Sequence, residues 1–332
     1  MSRSQSFASR VRLPLRSPRA ASEPGSLQAD PVRDPDPDGG GAPARKGARR
    51  QARKDARRKR ARERAVRRAA ERSPYLCLVR APRAPMTLLE SSADVPHQIV
   101  VATYNVHRWM GRNGRRTPDP GQAEFVLSEL GADVIALQEV LRPEGHEGML
   151  EALADRLGLH VAFAAARRHK MGELGNAILS RWPIQSASTL DISHSRIERR
   201  SAVAARFSGS MGSFAVIATH LSLVDRTRRR QVGSLLGHPE LAVTGPAILM
   251  GDMNAWRNCQ ATRALDAGLA THDNLKWPAS FPSSKPMLAL DRIYVRGAHL
   301  SRVWSHDTEA SRTASDHLPV IANVVLPDPP AF

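Results

Sequence analysis

Two cysteines in 332 residues, Cys77 and Cys259, supply neither a disulfide framework nor the spacing of a cysteine metal site. No apolar run approaches the roughly 20 residues that cross a bilayer. The short run "YLCLV" (75–79) lies too far from the start, and is too brief, for the core of a signal sequence. Arg49-Arg50 is not followed by the apolar segment of a twin-arginine signal. These absences make a soluble, cytoplasmic, monomeric protein without a transmembrane segment the expectation.

Basic charge is abundant, but its location limits what it means. The net charge of +17 suggests a polyanion binder until it is divided along the chain. Residues 1–85 carry 23 Lys and Arg against 8 Asp and Glu, whereas residues 86–332 carry 26 against 24. The first quarter is rich in Arg and Pro and poor in apolar residues, the composition of a disordered segment. Within it "PVRDPDPDGGGAP" (31–43) reads as a linker, and the Ala/Arg stretch 44–72 as a solvated basic helix that forms against a polyanion. Two readings stay open: a tail or an upstream stretch without a function, and an arm that binds phosphates of nucleic acid or anionic lipid. The expected organisation is a disordered basic segment over 1–85 and one folded domain over 86–332.

From about residue 97 the pattern changes. "HQIVVATYNV" reads as a strand, and "GQAEFVLSEL" (121–130) as a helix with Phe125, Val126 and Leu130 on one side. "VIALQEV" follows as a strand, then a helix over about 147–157 ending at Gly158, then the strand "LHVAFAAA". Later strands are "GNAILSRWPI", "SFAVIATHL", "PAILMGDMN", "LALDRIYV" and "LPVIANVVL", with a helix over 225–238 between them. The absence of strict βαβ alternation points to an α+β fold with mixed sheets.

Polar residues fall at the ends of these apolar strands. Asn105, Glu139, His220, Asp252 and Asn254 close strands, Asp291 opens one, and Asp316-His317 precede the last. A buried carboxylate without a partner either takes up a proton or finds a cation. One such residue is most often a satisfied structural group; six such points at strand termini suggest a shared site. Glu139, Asp252, Asp291 and Asp316 would repel one another there unless a divalent cation intervened. Oxygen donors without cysteine or clustered histidine favour Mg²⁺ or Mn²⁺ over zinc.

The runs "TYNVH", "LQEV", "LGNAILSRWP", "ATHL", "GDMNA", "LDRIYV" and "SDHLPV", in this order across 103–320, resemble the endonuclease/exonuclease/phosphatase family, in particular its compact bacterial members. Each fragment alone is common, and seven in order are specific. The resemblance implies a four-layer α/β/β/α sandwich of two packed mixed sheets, with a metal site at one edge. It implies Glu139 as principal Mg²⁺ ligand, with Asn105 and Asp316 assisting. Asp252 and His317 both stand as candidates to activate water, Asp291 as the partner of His317, and His220 and Asn254 as donors to phosphate oxygens. Asn176 would shape the phosphate pocket, Arg200 beside Arg199 would grip a phosphate or lie in a solvated turn, and Phe281 with Lys285 would touch substrate, unless Phe281 simply caps the core.

His107 stands where abasic-site endonucleases usually have an acidic or amide residue, which weakens a DNA-repair reading and leaves it as a substrate contact or a surface residue. Three functions follow: a Mg²⁺-dependent phosphodiesterase acting on nucleic acid; the same chemistry on a phospholipid or inositol phosphate headgroup; or a non-catalytic polyanion-binding protein on the same fold. Every expected catalytic position is filled, which argues against the third.

Overall fold

The computed structural model describes residues 77–83 and 95–327, apart from 115–116, 144–147, 195–197, 210–211, 243–244 and 270–275, together with the single residue Ala56. The chain divides into two units, Met1–Arg64 and Ala65–Phe332, and the architecture below belongs to the second. The helix expected over 44–72, apart from Ala56, lies outside the described residues.

The strands are β1 (Leu78–Arg80), β2 (Gln98–Asn105), β3 (Val134–Pro143), β4 (His160–His169), β5 (Gly172–Ser180) and β6 (Ser186–Asp191). Then come β7 (Ser201–Gly209), β8 (Gly212–His220), β9 (Ala247–Asp252), β10 (Asp291–Arg296), β11 (His299–Ser305) and β12 (Val320–Val325). The helices are α1 (Gly121–Glu129), α2 (Met149–Leu157), α3 (Asp225–Leu236), α4 (Pro239–Ala242), α5 (Gln260–Leu269) and α6 (Glu309–Ala314).

Seven strands pair in the order β1-β4-β5-β3-β2-β12-β11, and five in the order β10-β9-β8-β7-β6. Both sheets are mixed, because β2 runs parallel to β3 and β8 parallel to β9 while their other pairs are antiparallel. Alternation along the strands sorts side chains into layers. Val101, Ala136 and Ile178 of one sheet meet Val216, Ile248, Met250 and Ile293 of the other in a common core. On the far face of the larger sheet, Tyr104, Ile135 and Leu137 pack with Val126, Leu127, Leu150 and Leu153 of α1 and α2. On the far face of the smaller one, Ile217, Leu249 and Tyr294 pack with Val232, Leu235, Leu265 and Leu269 of α3 and α5. Each Val, Leu, Ile or Met among them contributes about 1.5–3 kcal/mol on burial. The result is the expected α/β/β/α sandwich.

Three details differ from expectation. Phe125 is 57% exposed, and the inward face of α1 is Ala123, Val126 and Leu127. The helix turns roughly 100° per residue, and its buried face runs through Ala123, Val126 and Leu127, which leaves Phe125 on the solvent side. The edge strands β6 and β11 and the helices α5 and α6 went unread. The folded part also takes in residues before the expected 85/86 boundary: β1 pairs with β4, and Arg80 Nη2 donates to Asp155 Oδ2 at 2.5 Å.

Strand direction fixes where the functional side chains gather. The parallel pairs β2/β3 and β8/β9 each end on one side, and their antiparallel neighbours β12 and β10 begin there.

Candidate active site

Register places His220, Asp252 and Asp291 directly opposite one another on three adjacent strands. The backbone before Asp252 makes this row possible only with glycine. Gly251 has φ 154°, and a Cβ there would collide with the Thr219 carbonyl of β8. Asn254 follows with φ 49°, and its backbone N–H donates to Asp252 Oδ1 at 2.9 Å.

His317 completes the row from the chain just before β12. Its Nδ1 lies 2.7 Å from Asp291 Oδ2, and its Nε2 3.7 Å from Asp252 Oδ2. All three side chains are buried. Burial alone would lower the His317 pKa, but the carboxylates of Asp291 and Asp252 outweigh it and raise it to about 10. Burial pushes the Asp252 carboxyl up to about 7, with His317 offsetting part of the rise and Asp291 adding to it. The imidazole therefore holds its proton, with Nδ1–H donating to Asp291. The Asp291 backbone N–H is aimed at Ser280 Oγ at 3.3 Å, and the Phe281 ring sits 4.9 Å from the imidazole, centre to centre.

The two sheets are tied together at this edge. Asn105 Nδ2 donates to Asp252 Oδ2 at 3.1 Å, and Asn105 Oδ1 accepts from the His107 backbone N–H at 3.1 Å. Ser315 Oγ donates to the Asn105 carbonyl at 2.6 Å, which brings the Asp316-His317 segment alongside. His107, Arg108 and Trp109 all have positive φ (44°, 59° and 61°), a strained turn for residues other than glycine. Buried Trp109 anchors it by donating from Nε1 to the Leu141 carbonyl at 2.8 Å. The turn sets two basic side chains against two acids: Arg108 Nε lies 3.3 Å from Glu139 Oε2, and His107 Nδ1 lies 3.5 Å from Asp316 Oδ1. His107 Nδ1 also lies 2.9 Å from the Gly111 carbonyl.

Glu139 owes its direction to a β-bulge. The register of β3 against β5 slips between Leu137 and Val140, and Glu139 itself has φ 52°. Such a bulge turns a side chain out of the sheet's alternation. Glu139 then lines one cleft with Asn176, Arg167, Arg199, Arg200 and His220. Asn176 Nδ2 donates to the Ser201 carbonyl at 2.7 Å, and Gly175 beside it leaves no room for a Cβ against the Ala164 carbonyl.

His220 is buried, and burial together with the Arg200 and His317 charges holds its pKa well below the usual imidazole value. It is neutral. Arg200 Nη1 lies 3.3 Å from its Nδ1, and the imidazole Nε2 lies 3.4 Å from Asp252 Oδ2. Asn254 Nδ2 lies 3.1 Å from the same Nε2 and donates to the Leu221 carbonyl at 2.9 Å. Arg200 also donates to Glu198 at 2.8 Å, whereas Arg199 faces Asp191 at 3.3 Å and Lys285 is exposed. Arg200 is thus built into the site, rather than lying in a solvated turn.

Two groups of residues invite a metal. Asp252, Asp291 and His317 lie close together, but His317 Nδ1 is committed to Asp291 and the ring is protonated. A ligating imidazole must be free of that proton. Glu139, Asp316 and the Asn105 amide offer oxygen donors only. Both carboxylates are partly exposed, and each is drawn to a basic side chain. That donor chemistry fits a hard divalent cation.

Sequence reasoning missed Arg108, Arg167, Glu198 and Ser280. Arg108 sits one residue beyond the quoted "TYNVH", and only the left-handed turn reveals its contact with Glu139. Arg167 follows an irregularity in β4, between Ala165 and Arg167, that no local signal announces.

Residues 102–317 match the Endonuclease/Exonuclease/phosphatase family, and the chain belongs to it. Over 246 residues it is 31% identical to the uncharacterized protein YbhP of Escherichia coli, covering 68% of this chain and 96% of that protein. Its fold is shared with an endonuclease/exonuclease/phosphatase from Beutenbergia cavernae, at 20% identity and TM-score 0.56, covering 71% of this chain and 73% of that one. A mannosyl-6-phosphatase of Bacteroides thetaiotaomicron has the same fold at 18% identity and TM-score 0.51, covering 69% of this chain and all (100%) of that one. Members of this family are phosphoesterases, which makes the chain a phosphoester hydrolase by class.

Proposed function

We propose that the chain is a monomeric Mg²⁺-dependent phosphodiester hydrolase, with Mn²⁺ as a substitute ion. The observation that carries this reading is the buried Asp252 carboxylate, held between Asn105 of one sheet and His220 of the other and flanked by the His317–Asp291 pair. Glu139, Asn105 and Asp316 would hold the ion, which when bound supplies positive charge to the phosphate oxygens.

Asp252 accepts the proton of the attacking water, whose oxygen forms the new bond to phosphorus while the bond to the leaving oxygen breaks. A carboxyl raised towards neutrality suits that task, and His317, already protonated, does not. The imidazolium, oriented by Asp291, instead places a fixed positive charge beside the phosphate. His220 and Asn254 turn their hydrogens to the non-bridging oxygens as charge builds there; loss of one such donor typically costs about a hundredfold or more in rate. Arg200 steadies the His220 ring, Asn176 shapes the pocket floor, and His107 and Phe281 flank the reacting group.

Nucleic acid is the first substrate class, with the basic segment 1–85 adding phosphate contacts. The second is a phospholipid or inositol phosphate headgroup, favoured by exposed apolar side chains near the site. The fold likeness to a mannosyl-6-phosphatase adds a sugar phosphate to the panel. The test is turnover of plasmid DNA, RNA, phospholipid, inositol phosphate and mannose 6-phosphate by the full chain, with Mg²⁺ and with EDTA. Metal-dependent hydrolysis of one class is expected, and inertness towards all of them contradicts the proposal.

A further inference from the structure

The edge of the smaller sheet that carries His220, Asp252 and Asp291 also carries most of the strongly exposed apolar side chains. Among the described residues six large apolar side chains are exposed, and four of them lie in three loops at that edge. Leu223 (62%) and Val224 (58%) follow His220 on the way into α3, Trp256 (50%) follows Asn254, and Met287 (68%) precedes Asp291. Single exposed apolar residues are ordinary on a soluble protein, whereas Leu223 and Trp256, from two of these loops, line one cavity, and grouped apolar side chains mark an interaction surface.

These loops are knitted together. The Met253 backbone N–H donates to the Leu290 carbonyl at 2.8 Å, and Arg292 Nη2 to the Ala255 carbonyl at 2.7 Å. Buried Arg228 donates from Nη1 to the carbonyls of Ser222 and Asn254, at 2.9 and 2.8 Å. The exposed apolar residues are therefore held on a braced frame rather than on loose loops.

The charge around them is predominantly positive. Leu223 and Trp256 line an open cavity of about 410 Å³ together with Arg257 and Arg263. Its one carboxylate, Asp225, is taken up by Arg228 at 2.9 Å. Arg226, Arg229 and Arg230 are exposed along the neighbouring α3.

Apolar side chains inside a cationic rim match the boundary between headgroups and acyl chains of an anionic membrane. A groove for single-stranded nucleic acid would instead offer aromatic faces for successive bases. Here Trp256 is the one aromatic among the four, and Leu223, Val224 and Met287 have no face on which to stack a base.

We propose that this rim docks on an anionic phospholipid bilayer and presents the site to phosphate headgroups there, a step that rests on the phosphodiesterase reading. Docking would set the catalytic edge and the first half of α3 against the headgroup layer.

The test uses the full chain with vesicles of phosphatidylglycerol and phosphatidylcholine whose acyl chains carry bromine. Bromine in the bilayer is expected to quench tryptophan emission in the wild type, and Trp256→Phe to lose that quenching. Leu223→Ser combined with Val224→Ser is expected to lower partition into these vesicles about tenfold or more. Both variants should hydrolyse the soluble diester bis-p-nitrophenyl phosphate at the wild-type rate.

Equal quenching in wild type and Trp256→Phe overturns the proposal, even where residues 1–85 carry the protein to the vesicles. Quenching of Trp256 by a single-stranded oligonucleotide, with none from brominated vesicles, overturns it in favour of nucleic acid. A wild type inert towards the soluble diester with Mg²⁺ removes the hydrolase reading itself, a failure that the quenching experiment does not share.

Discussion

Asn105 Nδ2 and Asp252 Oδ2, 3.1 Å apart, join the end of β2 in one sheet to the end of β9 in the other. The buried carboxylate thus depends on both sheets, and the core between them sets the site's geometry.

Asn105→Ala should damage chemistry and stability together. A hydrogen bond to a charged group contributes about 1.5–3 kcal/mol, and its loss leaves Asp252 less satisfied. Denaturant unfolding should show a loss of that order. Because the Asn105 bond lowers the Asp252 pKa, its removal should also move the acid limb of the rate profile to higher pH. An unchanged limb would separate Asp252 from the rate.

The pH profile follows from the buried cluster. Asp252 acts as base only after losing its proton, so the rate should rise through about pH 7. His317 supplies charge only while protonated, so the rate should fall as pH passes about 10. Interacting groups titrate as a unit, and the two limbs belong to the Asp252–Asp291–His317 cluster. His317→Gln should remove the alkaline limb in a profile of kcat/KM on bis-p-nitrophenyl phosphate.

Glu139→Ala and His317→Ala should each reduce Mg²⁺-dependent hydrolysis by at least about a hundredfold. Circular dichroism should show Glu139→Ala folded, since Glu139 is partly exposed, whereas His317→Ala leaves buried Asp291 without its partner and should stay folded with a lower unfolding midpoint. Wild-type rates in both would remove the roles given to them.

Arg108 stands beside Glu139 as a competing cation. Exposed ion pairs contribute about 0.2–1 kcal/mol, so Arg108→Ala should tighten Mg²⁺ binding by up to about fivefold. Isothermal titration calorimetry reads this directly, without turnover. Weaker binding would give Arg108 a supporting rather than a competing role.

Much of this site was legible because sheet ends write themselves into sequence. "LQEV", "ATHL", "GDMN" and "SDH" each set a polar residue against an apolar run, and those residues meet in space. The row His220–Asp252–Asp291 needed strand order, which no single segment contains. Arg108 was hidden because its direction comes from three consecutive left-handed residues that are not glycine. Phe125 misled because it is apolar and helical yet points outwards. Edge strand β6, "SASTLD", carries little apolar patterning, so pairing with β7 is what makes it a strand.

The most direct measurement is hydrolysis of bis-p-nitrophenyl phosphate by the full chain and by Asp252→Asn, each with Mg²⁺ and with EDTA. Turnover that needs Mg²⁺, returns when excess metal follows EDTA, and falls by about a hundredfold or more in Asp252→Asn is the predicted result. Equal turnover with EDTA, or an Asp252→Asn variant as fast as the wild type, would contradict it.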